Sequence, residues 1–147
     1  MSDYQEDLDT VEGYLVEEME VDVIFAGDEP NAYWKNGVTS ISISTKQSKR
    51  LQLYTLLHEA GHAIIREKQD YDIRLPYGRL YKNKSISRRI DVLREEVLAW
   101  ECGRELAYDL GIKLNDRLWH KFVKKNLFDY VKWVYDPSIF EGKSKKP

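Results

Sequence analysis

The chain has 147 residues, 42% of them hydrophobic and 33% charged, with a formal net charge of −2, the make-up of one globular domain able to bury its own core. That balance excludes wholesale disorder and gives no overall pull toward nucleic acid or an anionic membrane. A single cysteine, Cys102, excludes an internal disulfide and any cysteine-based zinc site, and it reads as a small buried side chain.

The acidic start, Met1 to Asp7, is unlike the basic n-region of a signal peptide, and no later stretch approaches the roughly 18 apolar residues that span a bilayer. A cytoplasmic location without a membrane partner is expected. Residues 1–10 read as disordered, and Val11, Tyr14 and Leu15 among charges predict a short helix to about Glu20. Val21 to Phe25 is β-branched and aromatic and reads as a strand, closed by the turn residues Ala26 to Pro30. Ala32-Tyr33-Trp34 reads as a second strand, and Asn36-Gly37 suits a type I′ hairpin turn. In Val38 to Ser44, serines alternate with Ile41 and Ile43, which predicts a half-buried or edge strand and hence a small antiparallel sheet.

Ser48 is placed to cap a helix that runs to about Glu67 and carries Leu56-Leu57-His58-Glu59-Ala60-Gly61-His62-Ala63, an H-E-x-x-H pattern. At about 100° per residue His62 falls about 40° from His58 and Glu59 about 100°, while Leu53, Leu56, Leu57 and Ala60 gather on another side. Both imidazoles can therefore face one ion with Glu59 beside them. The plain alternative is an amphipathic helix with surface histidines, but two of only three histidines in the chain sit in this pattern. Gly61 in mid-helix costs about 0.5–1 kcal/mol relative to alanine, which calls for a reason such as the close approach of another backbone.

Residues 70 to 90 hold Pro76, Gly78, six basic side chains (Arg74, Arg79, Lys82, Lys84, Arg88, Arg89) and Tyr71, Tyr77 and Tyr81. Such a segment suits nucleic-acid contact, but a solvated loop flanking a cleft is the preferred reading, so no nucleic-acid partner is expected. Ile90 to Leu110 reads as a helix ending at Gly111. A catalytic zinc takes three protein ligands and leaves one position open, so the histidine pair needs a partner. Glu96 lies mid-stripe among Val92, Ala99, Trp100 and Gly103, and an ionised carboxylate there is costly unless it binds a metal or pairs with a cation such as Arg66. Glu95, about 100° away, is the runner-up. His120 lies among surface lysines of a last helix, about Asp116 to Tyr135, and reads as solvated; Leu118, Trp119, Phe122, Val123, Leu127, Tyr130, Val131 and Val134 give that helix its core face. The tail 141–147 reads as disordered, and no repeat or long linker divides the single domain expected over 1–147.

Three segments together, Ile41-x-Ile43, Leu56 to Ala63, and Glu95-Glu96-Val97-Leu98-Ala99-Trp100-x-x-Gly103-x-x-Leu106-Ala107, resemble the ImmA/IrrE family of zinc metallopeptidases over roughly residues 15 to 110. The resemblance implies a zincin-like α+β fold with an edge strand beside the active-site helix. It also implies zinc on His58, His62 and Glu96, with Glu59 as general base. Members often cleave or antagonise a helix-turn-helix repressor in bacteria, mobile elements or phage, so a protein or peptide substrate, with such a repressor as candidate, is the implied partner. Glu96-Val97-Leu98 stands where the family more usually has glutamate-alanine-asparagine, which keeps Glu95 open as the third ligand. The expected chemistry is hydrolysis of a peptide bond, with the strand at Ile41 to Ser44 adding an extended substrate to its edge and Tyr71, Tyr77 or Tyr81 near the oxyanion. The rival expectation is a non-catalytic zinc-binding module that regulates its partner by binding.

Overall fold

The computed structural model describes residues 4–26, 31–34, 38–68 and 85–140. They form helices α1 (Tyr4–Met19), α2 (Lys49–Lys68), α3 (Ile86–Asp109) and α4 (Asp116–Tyr135), strands β1 (Asp22–Phe25), β2 (Asn31–Trp34) and β3 (Val38–Ile43), and a closing 3₁₀ turn, Pro137–Phe140. This is an α+β architecture. Two compact units share the chain: Met1–Tyr71 with Ala99–Leu114, and Asp72–Leu98 with Asn115–Pro147. No helix among the described residues is long and apolar enough to cross a membrane.

In the first unit, α1 begins earlier than the acidic sequence suggested. Leu8, Val11 and Leu15, spaced for one helical face, are all buried. That burial, with a Gln5 to Asp9 side-chain hydrogen bond of 2.9 Å, makes residues 4–10 helical rather than disordered. The helix ends at Glu20, which sits at φ 56°, and the Val21 N–H turns back to donate to the Leu15 carbonyl at 2.9 Å.

The sheet order is β1-β3-β2, with β1 parallel and β2 antiparallel to β3. The expected all-antiparallel sheet is therefore mixed, and the strand read as an edge is central. Ser40, Ile41 and Ser42 each have a partner on both sides. Serine–isoleucine alternation reports which face of a strand is buried, and Ile41 and Ile43 are indeed fully buried, but it carries no information on lateral neighbours. The Asn36-Gly37 turn lies outside the described residues.

Ser48 caps α2 as its chemistry predicted, its hydroxyl accepting from the Leu51 N–H at 3.3 Å. The helix packs against α1 and β3, and α3 closes on it from another side. Burial of Gln52, Thr55 and Arg66 alongside Leu53, Leu56 and Leu57 makes it a central helix covered nearly all round, rather than one with a single apolar face. Gly61 and Gly103 explain how α3 comes so close. A Cβ on Gly61 would stand 1.9 Å from the Ala99 carbonyl oxygen, and one on Gly103 would stand 2.5 Å from that of Leu57. The two helices thus cross antiparallel in backbone contact at two points one turn apart. Beyond the crossing, α3 ends in a Schellman motif: Gly111 at φ 77° donates to Tyr108 at 3.0 Å and Ile112 donates to Ala107 at 2.8 Å, as the sequence indicated for Gly111.

In the second unit, Ser85 caps the start of α3, accepting from the Arg88 N–H at 3.2 Å, four residues before the expected start at Ile90. Arg89, expected in a solvated loop, is on this helix and 8% exposed, and its Nε donates to the Val134 carbonyl at 3.0 Å. Arg88 is on this helix too, while the remaining basic and tyrosine residues of that segment, Tyr71 to Lys84, lie outside the described residues, as does the tail 141–147. Helix α4 is capped by Asn115, whose side chain accepts from Leu118 N–H at 3.0 Å. Its buried anchors are Trp119 and Trp133, while Val131, expected inside, is exposed.

Candidate metal centre

His58 and His62 occupy successive turns of α2, and their Nε2 atoms stand 3.2 Å apart with the rings inclined at 66°. Two nitrogens bound tetrahedrally to one zinc at about 2.0–2.1 Å stand about 3.4 Å apart, so the pair is already spaced for a shared ion. Glu96 joins them. Ligand atoms of His58, His62 and Glu96 all lie within 4.8 Å of one another, and the group can hold a metal ion. The carboxylate has at most about 1.4 Å to travel to reach tetrahedral spacing. The position of Glu96 follows from the helix it rides on: three residues later Ala99 touches Gly61, the residue before His62.

The donor set itself favours an ion. Two neutral imidazoles and a carboxylate supply the nitrogen and oxygen ligands that zinc takes in open, three-ligand sites. His62 is 5% and Glu96 7% exposed, and a carboxylate so enclosed is costly unless charge or hydrogen bonds compensate it. His58 and Glu59 instead keep 14% of their side-chain surface, which gives the group one side open to water. Glu59 Oε2 lies 3.7 Å from His58 Nδ1, so Glu59 stands beside the ligand set and outside it.

Helical phase was expected to bury Glu96 and leave Glu95 aside. Both are buried, Glu95 at 2% exposure, and Glu95 shares a helical face with Ala99 and Cys102, which are also buried. Burial thus does not separate the two glutamates, whereas proximity to the histidines does, and only Glu96 belongs to the cluster. His120 is exposed on α4, with Nδ1 2.9 Å from the Asp116 carbonyl oxygen, as a solvated histidine should be. Tyr71, Tyr77 and Tyr81 lie outside the described residues.

No protein-family profile, curated protein or solved structure matches the chain.

Sequence reasoning passed over Trp100 as one more apolar residue of α3. Its indole stacks on the His58 imidazole with centroids 4.0 Å apart and planes 8° from parallel. The available signal was its spacing of four from Glu96, which puts both side chains on one side of the helix.

Proposed function

We propose that this chain is a zinc-dependent metallopeptidase of the ImmA/IrrE type that hydrolyses a peptide bond in a protein substrate. The observation that carries the reading is the gathering of His58, His62 and Glu96 ligand atoms within 4.8 Å of one another, beside a Glu59 that keeps 14% of its side-chain surface. His58, His62 and Glu96 would hold the ion. Zinc bound there supplies Lewis acidity toward a water molecule and toward the scissile carbonyl oxygen. Glu59 takes the proton of the attacking water on its carboxylate and returns it to the leaving amine nitrogen, so one group serves as base and then acid. Burial of His62 and Glu96 keeps bulk water from one side of the reacting centre.

Addition of substrate to β3 forms no part of the proposal, since that strand is paired on both sides. A repressor-type regulator remains the substrate class that the motif resemblance suggests, and a cytoplasmic setting accompanies it. The test compares native and Glu59→Gln chains for metal content and for cleavage of candidate repressors by mass spectrometry. Glu59→Gln should keep about one zinc per chain and lose turnover by about 10²–10⁴-fold. If the substitution leaves the effect on the target undiminished, the protein acts by binding, not by cleavage.

A further inference from the structure

An imidazole turns easily about its χ2 bond, since such torsions are broad rather than sharply staggered, and a turning ring sweeps Nε2 across a wide arc. In metal sites the second ring nitrogen is ordinarily tied by a hydrogen bond that fixes the ring. At His58 the flat stack on Trp100 is a contact that a rotated ring loses.

The indole is itself held. Trp100 is buried, and its neighbours on α3, Ala99 and Gly103, lie against the backbone of α2 at Gly61 and Leu57. The stretch of α3 that carries the indole is thereby held against the backbone that carries His58. With the rings stacked, Nε2 of His58 comes 3.2 Å from Nε2 of His62. The stack is also electrostatically suited to metal uptake, because the negative face of an indole attracts a ring that gains positive character.

We infer that Trp100 is a positioning residue for the metal centre: its indole face fixes the plane of the His58 imidazole so that Nε2 points at the ion shared with His62 and Glu96. This rests on the metal reading proposed above. Trp100 touches no reacting atom, and its effect appears as metal affinity and ligand geometry.

The experiment titrates zinc, against a chelating dye, into metal-free native, Trp100→Phe and Trp100→Leu chains whose folding is verified by a cooperative melt. Tryptophan emission is followed throughout, and the visible spectrum is recorded with cobalt in place of zinc. Loss of an outer contact to a metal ligand costs about 10–100-fold in affinity, so Trp100→Leu should weaken zinc binding by that factor and alter the cobalt spectrum. Trp100→Phe, which restores a flat ring, should bind within about 3-fold of native, a margin of about 0.7 kcal/mol by the affinity relation. Native emission should change as zinc binds, and that change should vanish in Trp100→Phe. A folded Trp100→Leu chain with native zinc affinity and an unaltered cobalt spectrum overturns the inference alone. So does a native chain whose emission ignores zinc that the dye shows to be bound, which keeps the test decisive even if Trp100→Leu does not fold. A native chain that takes up no zinc overturns the metal reading, and this inference with it.

Discussion

Replacing Gly61 with alanine tests the helix crossing that brings α3 to the histidines. The added methyl would stand 1.9 Å from the Ala99 carbonyl oxygen, 2.7 Å from its carbon and 3.0 Å from Ala99 Cα. A carbon and a carbonyl oxygen approach comfortably to about 3.3 Å, so the shortfall is about 1.4 Å. The obstructing atoms are backbone, with no flexible end to swing aside, and interiors packed to crystal density do not absorb such a displacement. Overpacking of this kind costs about 3 kcal/mol, against a gain of about 1 kcal/mol from alanine's better helix propensity, for a net loss of about 2 kcal/mol. At about 2–4 °C per kcal/mol, the melting temperature should fall by about 4–8 °C. Gly13→Ala is the matched control: the nearest atom to its Cβ is Glu17 Oε2 at 3.8 Å, an ordinary contact. There the same substitution should stabilise by about 0.5–1 kcal/mol. Urea and thermal melts of the three chains decide the matter. A Gly61→Ala chain as stable as Gly13→Ala would refute backbone contact between α2 and α3.

Three further outcomes are expected. Glu96→Gln should lower zinc affinity more than about 100-fold, beyond the range for outer-shell partners, while Glu95→Gln stays within about 10-fold; dialysis followed by elemental analysis ranks them, and the reverse order would make Glu95 the ligand. Glu20→Gly should raise stability by about 0.5–1 kcal/mol, because φ 56° suits glycine better than a residue with a Cβ, and a urea midpoint at or below native would count against strain there. Asp136 should titrate below its ordinary value of 3.8, because the Ser138 hydroxyl donates to its carboxylate at 2.6 Å and the Ser138 N–H at 3.1 Å. A lowered carboxyl pKa means that the stabilisation is present above 3.8 and is lost as the pH falls through the folded value. Ser138→Ala should return the NMR midpoint toward 3.8, and an unmoved midpoint would show that Ser138 is not the cause.

Features written in a few consecutive residues could be read directly from the sequence. Ser48 as a cap, Gly111 as the left-handed residue after α3, the bounds of α4 and the shared face of His58 and His62 all depend on local hydrogen bonds and helical period. The need for another backbone near Gly61 was legible too, since a glycine in mid-helix is unfavourable by itself; that the backbone would be Ala99 was not. What escaped depends on residues far apart in the chain. β3 gained its second neighbour from β1, Arg89 donates to the Val134 carbonyl, and Glu95 is buried as fully as Glu96. None of these leaves a mark on local periodicity. The candidate third ligand falls between the two classes, because phase narrowed it to a pair and only the folded position of the histidines separates them.

The two glycine crossings also act as a ruler. Every candidate ligand is a fixed count from a touching residue: His58 follows Leu57, His62 follows Gly61, and Glu96 precedes Ala99 by three and Gly103 by seven. The length of the connection from Lys68 to Ile86 does not enter that count. Deleting one residue between Glu96 and Ala99 would turn the carboxylate by about 100° and shift it about 1.5 Å along the axis, emptying the third ligand position while the crossing stays intact. Lengthening the connection would leave both in register. In this chain the geometry is thus written in two short words, Leu-His-Glu-x-Gly-His and Glu-x-x-Ala-x-x-x-Gly, whatever the length between them.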